Sequence, residues 1–350
     1  MTKSPNQSFI AKQLDLAPGT VSRALRHDPG IHPDTRERVI KLAKKLGYAL
    51  RPRVKNITES EASYLGVLVQ TPEVNWAQTR YLVGISEAAA KLNAWLTVHY
   101  VGFRDCPSVL NPTRQPPAMR DGRIKGICLI HRWPQEVIEQ LTRHYACVSI
   151  VHFYPSLSVD LIDMNHRSGM DQLIDHLYSL GHRKIGFFGH STGLSWSRAR
   201  FAGYIEAFAK LGLPINPRWI IPLESEEFEE RMMPDSALQD VIRLVQQQDV
   251  RAWTAANEWS AHVLVNHFTK AGLRVPEDVS VTGFDNTEIV SEARMPLTTI
   301  TVSLSEIGAA TIKRLRHRLT HPDEPQQSIL FSCSLVPGKS TGPLKNSAAR

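Results

Sequence analysis

Two groups of side chains in this 350-residue sequence have the types and spacing to do chemistry on a small molecule. The first is Gly189-His190-Ser191-Thr192-Gly193, which matches G-x-S-x-G, the turn that exposes a nucleophilic serine at a strand end. Asp285 and then His317 or His321 follow in the Ser, Asp, His order of an α/β-hydrolase. Against that reading, Leu194, Ser195, Trp196 and Ser197 separate Ser191 from the helix expected over 198–211, whereas a hydrolase serine opens its helix at once. A serine esterase is the weaker alternative and no catalytic residue is assigned. The second group is Arg200, Asn257 and Asp285. A forked cationic donor, an amide that both donates and accepts, and a carboxylate together suit vicinal hydroxyls. Taken singly, Asn257 and Asp285 suit helix capping equally well. Tryptophans strengthen the binding reading, because Trp76, Trp133, Trp196, Trp253 and Trp259 fall at or beside expected strand ends, where indole faces stack on the C–H face of a pyranose. Core packing explains any one of them, Trp253 most readily. His131 and Arg132, after the strand Ile124–Ile130, reach the same region, and Arg132 alternatively indicates an acidic sugar or a phosphate.

A third group faces a different partner. Residues 1–60 hold twelve Lys or Arg against five Asp or Glu, while 61–350 hold 29 of each, so all of the net +7 lies in the head. A small cationic head releases counterions from a phosphate backbone, which a neutral body has no cause to approach. Within it, Phe9, Ile10, Ala11 and Leu14 form one apolar stripe. Pro18 suits the first turn of a second helix, whose Val21, Ala24 and Leu25 face inward. That leaves Thr20, Ser22, Arg23 and Arg26 outward, short polar groups and Arg suited to base edges in the major groove. A third helix is expected from Pro33 to Gly47, burying Thr35, Val39, Leu42 and Leu46.

Ala11, the run Pro18-Gly19-Thr20-Val21-Ser22-Arg23-Ala24-Leu25, Thr35-Arg36-Glu37-Arg38-Val39 and Gly47-Tyr48 resemble the lac repressor (LacI/GalR) family of bacterial transcription regulators. The resemblance extends to the body: GHRKIGFFG, Arg200-Phe201-Ala202-Gly203-Tyr204, Asn257 at the end of WTAAN and Asp285 in VTGFDN fit family motifs. Glu258 stands where the family has Asp. It implies that Pro18, Gly19, Thr20, Ser22, Arg23 and Arg26 contact DNA and that Arg200, Asn257 and Asp285 bind an effector. Two caps depart from the pattern, Ala17 and His32 replacing Ser. The join departs further. Family members have a hinge helix whose Leu wedges into the minor groove. Here Leu50 and Arg51 replace Pro and Asn, Val54 replaces Ala, and Ile57 replaces Leu. Ile57 is the candidate wedge, with Arg51, Arg53 and Lys55 on phosphates; a disordered basic linker is the equal alternative.

These residues need a scaffold of alternating strands and helices. YLGVLV, WLTVHYV, IKGICLI, CVSIVHF, KIGFFG, WTAAN and VSVTGF read as strands, with GISEAAAKL, QLIDHLYSL, RARFAGYIEAFAKL and SAHVLVNHFTKAG as helices between them. The expected fold is a small all-α helix-turn-helix head on an α/β body of two doubly wound parallel-sheet lobes. Its boundaries are a head over 1–50, a hinge over 51–63, an N-terminal lobe of 64–163 and 290–322, a C-terminal lobe of 164–289 and 323–341, and a polar tail over 342–350. The family arrangement puts crossovers near Asp163, Ile289 and Pro322. Cys106, Cys128, Cys147 and Cys333 lack C-x-x-C spacing and read as reduced core thiols. The fourteen histidines are scattered, and neither a metal site nor a cofactor is expected. No apolar leader or membrane-length run is present, so a cytoplasmic location is expected. The implied protein is a homodimeric repressor of a pseudo-palindromic double-stranded operator, controlled by a carbohydrate-like effector. A cytoplasmic sugar-binding protein without specific DNA binding is the alternative.

Overall fold

A computed structural model describes residues 7–25, 30–46, 63–70, 76–286 and 295–344. The head is three helices, α1 (Gln7–Leu14), α2 (Pro18–Leu25) and α3 (Pro33–Lys45). Ile10, Ala11, Val21, Ala24, Leu25, Val39 and Ala43 close its core, with Leu14, Leu42 and Leu46 packed partly against it. Phe9 departs from expectation: it is 46% exposed, because residue 10 rather than 9 faces the other two helices. Asp15 takes a left-handed φ of 53° and ends α1, and the Leu16 N–H donates to the Ala11 carbonyl at 3.0 Å to close the turn. Ala17 offers α2 only its backbone carbonyl, which accepts from Thr20 and Val21. At α3 the imidazole of His32 does the work of the missing serine, its Nδ1 accepting from the Asp34 N–H at 3.4 Å.

The body alternates as the apolar runs require. Its first part contains β1 (Ser63–Gln70), α4 (Trp76–Lys91), β2 (Ala94–Val101), α5 (Pro117–Arg120), β3 (Ile124–Ile130), α6 (Gln135–Leu141), β4 (Ala146–Ile150) and β5 (Val159–Met164). The second contains α7 (His166–Ser179), β6 (Ile185–His190), α8 (Ser195–Lys210), β7 (Ile220–Pro222), α9 (Ser225–Glu229), α10 (Asp235–Gln248), β8 (Ala252–Ala255), α11 (Glu258–Lys270) and β9 (Ser280–Thr282). The chain ends through β10 (Thr299–Thr301), α12 (Leu304–Thr320), β11 (Ser328–Phe331) and β12 (Ser334–Val336). Two parallel sheets result, ordered β11-β5-β4-β3-β1-β2 and β7-β6-β8-β9, with β10 and β12 as an antiparallel pair beside them. No described helix is long and apolar enough to cross a membrane, and all four cysteines are free and buried.

Strand pairing moves two crossovers. The first lies between β5 and α7. The second falls after Thr301 instead of near Ile289, because Thr298 bridges Thr282 and the Asp285 N–H donates to Ile300. The third falls after Phe331 instead of near Pro322, because β11 pairs with β5 in the first sheet. Both shifts have one cause: edge strands too short to carry a sequence signal are recruited by the unpaired backbone of the neighbouring strand.

Helix α12 returns to the N-terminal lobe against α4. A methyl on Gly84 would lie 1.7 Å from the Ser305 carbonyl oxygen, and one on Gly308 would lie 2.1 Å from that of Tyr81. Only glycine at both positions lets these backbones approach so closely. That contact fixes where buried Tyr81 stands, within reach of the charges of Asp163, Asp285 and Arg200.

Candidate functional site

The carboxyl ends of both parallel sheets converge on one cleft, where open α/β folds place ligands. From the C-terminal lobe, β6 delivers His190 and Ser191, the first turns of α8 deliver Trp196 and Arg200, the end of β8 delivers Asn257, and the end of β9 delivers Asp285. Arg200 is 3% exposed and its guanidinium is fully engaged. Nε donates to His166 Nδ1 at 3.2 Å, and Nη1 donates to the Ala256 carbonyl and to Asp285 Oδ2 at 3.1 Å. Nη2 donates to Asp285 Oδ1 at 2.5 Å and lies 3.8 Å from the Met164 sulfur. His166 in turn bonds Asp163 Oδ2 at 3.0 Å through Nε2. The array Asp163, His166, Arg200, Asp285 therefore spans both lobes, since Asp163 belongs to β5. Phe284 and Trp196 cover the guanidinium, their ring centres 3.9 and 4.8 Å from Cζ.

Aromatic rings extend from there. Trp196 meets Phe228 edge-on at 5.2 Å, and Phe228 meets Trp259 at 6.3 Å. Asp285 and Asn286 both have left-handed φ, 99° and 42°, which is strained for side-chain-bearing residues and turns the Asp285 carboxylate back toward Arg200. Asn257 does cap α11, its Oδ1 accepting from the Ser260 N–H at 2.9 Å. Capping uses the oxygen and leaves the amide N–H groups for another partner.

The N-terminal lobe presents polar atoms from the opposite side. Gln70 Nε2 at the end of β1 and His131 Nε2 after β3 are both buried with no partner among the described residues. His131 and Val151, each following a strand, have φ of 66° and 76°. Burial pushes the His131 imidazole down to about 4 against the pull of the Asp285 charge, so the ring is neutral at pH 7 and lies within that carboxylate's field. His152 is also pushed down to about 4, by burial and then by Arg132, Arg198 and His131. Arg132 lies over the Phe103 ring at 5.3 Å and close to Gly193 of the other lobe, 3.8 Å from where a methyl there would stand.

Direct contacts also join the lobes. Ser195 Oγ donates to the Val151 carbonyl at 3.2 Å, accepts from the Phe153 N–H at 3.2 Å and lies 3.2 Å from His152 Nδ1. Arg104 pairs with Glu230 at 3.0 Å across the rim. Glu258 sits behind the site, accepting from Thr299 Oγ1 at 2.8 Å. Burial and then the Asp285 charge push its carboxyl up to about 7, against the Thr299 bond.

Several expectations change. Trp253 is not a cleft wall: it is fully buried against Gly186 and donates to the Val250 carbonyl at 3.0 Å. Trp133 is likewise core, donating to Ile130. For Trp253, inside β8, the reason is strand alternation, which turns the indole into its sheet's packed face. Trp133, in the loop after β3, is folded back by its bond to the Ile130 carbonyl and by the Tyr154 hydroxyl that accepts from its backbone N–H. Helix α8 starts at Ser195, earlier than the sequence suggests, so helix spacing no longer argues against a nucleophile elbow. The side chains do. Ser191 is 2% exposed and its hydroxyl pairs with Ser225 at 3.3 Å, while Asp285 is held by Arg200 and His317 by Glu324. Asp163, His166, Ser195 and Phe228 escaped the sequence reading. The Asp-x-x-His spacing at a strand end was the available signal for two of them.

In the head, Val21, Ala24 and Leu25 are buried and Pro18, Gly19 and Arg23 are exposed, with Thr20 and Ser22 intermediate. This is the face expected for groove contact. Arg26, Arg51, Arg53, Lys55, Ile57 and the Trp76 side chain lie outside what the structure describes.

A helix-turn-helix head followed by a two-lobed, periplasmic-binding-protein-like body with a polar, aromatic-walled cleft defines a ligand-responsive DNA-binding regulator. Residues 10–50 match the family described as "Bacterial regulatory proteins, lacI family", and 174–341 match "Periplasmic binding protein-like domain". The chain thus carries a LacI-family helix-turn-helix domain and a periplasmic-binding-protein-like domain, the combination found in bacterial transcription regulators. It is 26% identical over 322 residues to the HTH-type transcriptional repressor PurR of Haemophilus influenzae (91% of this chain, 92% of that one). It is 26% identical over 333 residues to the HTH-type transcriptional repressor CytR of Escherichia coli K12 (93% of each). These relatives are repressors, not enzymes. Two solved structures share the fold: a transcriptional regulator CelR–cellobiose complex (TM-score 0.68, 20% identity, 96% and 99% coverage), and the lac repressor dimer bound to operator and the anti-inducer ONPF (0.63, 22%, 97% and 100%).

Proposed function

We propose that the chain is a cytoplasmic repressor that binds a pseudo-palindromic operator as a homodimer, and that a carbohydrate-like effector between the lobes sets its operator affinity. The observation that carries the effector class is the pairing of polar atoms without a partner among the described residues on one lobe, Gln70 Nε2 and His131 Nε2, with the Arg200–Asp285 fork and the Trp196–Phe228–Trp259 wall on the other. Buried polar atoms without partners are costly and are satisfied when a ligand brings hydroxyls to them. Arg200 has no donor left over, so a ligand meets the remaining lone pairs of Asp285, the Asn257 amide and the orphaned groups opposite. That set suits a neutral polyol ring stacked on indole. The cellobiose, glucose and ribose in the names of fold neighbours support this class. Dimerisation follows from the small head, which reads too few base pairs alone, and from the lac repressor neighbour's description as a dimer.

Arg132 beside Gly193 favours a second reading, a sugar carrying an anionic group. Bound genomic fragments would be selected with purified protein, then titrated by gel shift with neutral, amino and acidic sugars while tryptophan fluorescence is followed. A sequence-specific shift altered by one neutral sugar is the expected result. A response confined to acidic sugars selects the second reading. Binding without sequence preference overturns the regulator.

A further inference from the structure

Histidines 317 and 321 stand four residues apart, an H-x-x-x-H pair that the expectation of no metal site passed over. The structure brings Glu324 to them at the carboxyl end of α12. His317 Nε2 lies 3.0 and 2.9 Å from the two Glu324 carboxylate oxygens, and the His321 ring stacks on His317 with centres 4.3 Å apart and planes 13° apart. One ligating atom from each of the three residues falls within 4.8 Å of the others.

We propose that His317, His321 and Glu324 form a site for a divalent transition-metal ion of borderline softness, with Zn²⁺ as the reference occupant. Two imidazoles and one carboxylate are an established donor set for such an ion, with the fourth tetrahedral position left to water. Ligands about 2.0–2.1 Å from a tetrahedral ion are about 3.3 Å from each other. The His317 and Glu324 atoms are already within a few tenths of an ångström of that separation. His321 has the remaining distance to close, and as an exposed side chain at a helix end it has the freedom to do so.

The surroundings hold these donors in the required state. His321 Nδ1 lies 2.8 Å from Thr320 Oγ1 and 3.3 Å from the His317 carbonyl, so Nδ1 keeps the proton and Nε2 carries the free lone pair. Arg314 approaches only Glu324 Oε2, at 3.4 and 3.5 Å, which leaves Oε1 for the ion. Arg318 donates to the backbone carbonyls of Glu324 and Pro325 and is itself held by fully buried Asp160, which also accepts from the Gln327 N–H. The loop bearing Glu324 is thus pinned from beneath before any ion arrives. An ion there would staple the end of α12 to the segment entering β11, just ahead of the third crossover. Binding replaces the His317–Glu324 hydrogen bond with two metal bonds, the imidazole proton of His317 then standing on Nδ1 so that Nε2 offers its lone pair.

Chelator-stripped, tag-free full-length protein titrated with Zn²⁺ by calorimetry tests the site, with the thermal midpoint followed in parallel. The expected result is one Zn²⁺ per chain and a midpoint that rises with Zn²⁺ concentration. His321→Ala should weaken that uptake at least about 100-fold, a loss no smaller than outer-shell changes cause. Its midpoint without metal should match wild type, since His321 bonds only its own helix end. Glu324→Gln, which keeps the residue's shape, should weaken uptake similarly and guards against a folding effect at His321. Absence of saturable 1:1 uptake, or uptake that survives both substitutions, overturns the proposal.

Discussion

Arg200 is the residue on which the cleft turns, because it satisfies its whole fork without a ligand: His166, Ala256 and Asp285 take its strong donors. Under the function proposed above, an effector would meet a preorganised ion pair rather than a free cation. Asp285→Ala leaves a buried guanidinium uncompensated and should cost about 3–5 kcal/mol of stability, read as a fall in the denaturant midpoint. Arg200→Lys cannot reproduce the planar fork. It should weaken effector binding at least about 10-fold in a fluorescence titration, and unchanged affinity would remove Arg200 from the site. Glu258 makes a pH prediction. Its carboxyl is raised to about 7 by burial, so the folded state holds the proton more tightly than the unfolded chain does. That contribution to stability is complete below the ordinary carboxylate pKa of about 4.5 and is lost as pH rises toward 7. His131 and His152, lowered to about 4, act oppositely, their contribution being lost as pH falls from about 6.5 toward 4. Glu258→Gln should therefore lose the decline in unfolding free energy between about pH 4.5 and 7 while keeping the acid-side loss, a difference visible in paired denaturant curves. Identical slopes would contradict the assignment.

At the scale of elements, helix ends decide both sites. α2 begins without a side-chain cap because residue 17 is alanine, whose carbonyl alone accepts from Thr20 and Val21. Ala17→Ser should raise the stability of the isolated transition of the head by about 1 kcal/mol, seen in calorimetry, with the body transition unmoved. The start of α8 plays the reverse role: Ser195 reaches across to Val151, His152 and Phe153 and joins the lobes. Its neutral hydrogen bonds are worth about 1 kcal/mol, or about fivefold in an equilibrium. Ser195→Ala should weaken effector affinity by about that factor with little change in thermal midpoint, and stronger effector binding would show that the contact opposes ligand instead.

For the whole molecule, a neutral two-lobed body and a cationic head divide the work between ligand and DNA. An effector that grips both lobes favours one relative orientation, and reciprocal linkage then makes operator affinity depend on it. The factor by which saturating effector changes operator affinity should equal the factor by which saturating operator changes effector affinity. Calorimetry and gel shift can measure both, and unequal factors would exclude a simple two-state coupling. Because the charge lies in residues 1–60, the salt dependence of DNA binding should be the same with and without the body's ligand unless the number of phosphate contacts changes.

The head and the strand–helix alternation were legible in the sequence, since period, caps and apolar spacing are local properties that the chain writes down directly. Arg200, Asn257 and Asp285 stood out in the sequence through the family motifs they fit, and the fold sets Arg200 against Asp285 and the Ala256 carbonyl beside Asn257. Trp133 and Trp253 were not separable from Trp196 and Trp259, because nearness to a strand end does not say whether an indole packs into the core, as in β8 and the loop after β3, or stands on the first turn of the next helix, as in α8 and α11. The crossovers after Thr301 and Phe331 depended on pairing of three- and four-residue strands to distant partners. So did the Asp163–His166–Arg200 array and the His317–His321–Glu324 cluster, which arise where separate elements meet. The sequence by itself determined the kinds of element, the charged head and the chemical types offered to a ligand. Tertiary structure decided which of them share a cleft, because only packing fixes the faces and distances on which hydrogen bonds and ion pairs depend.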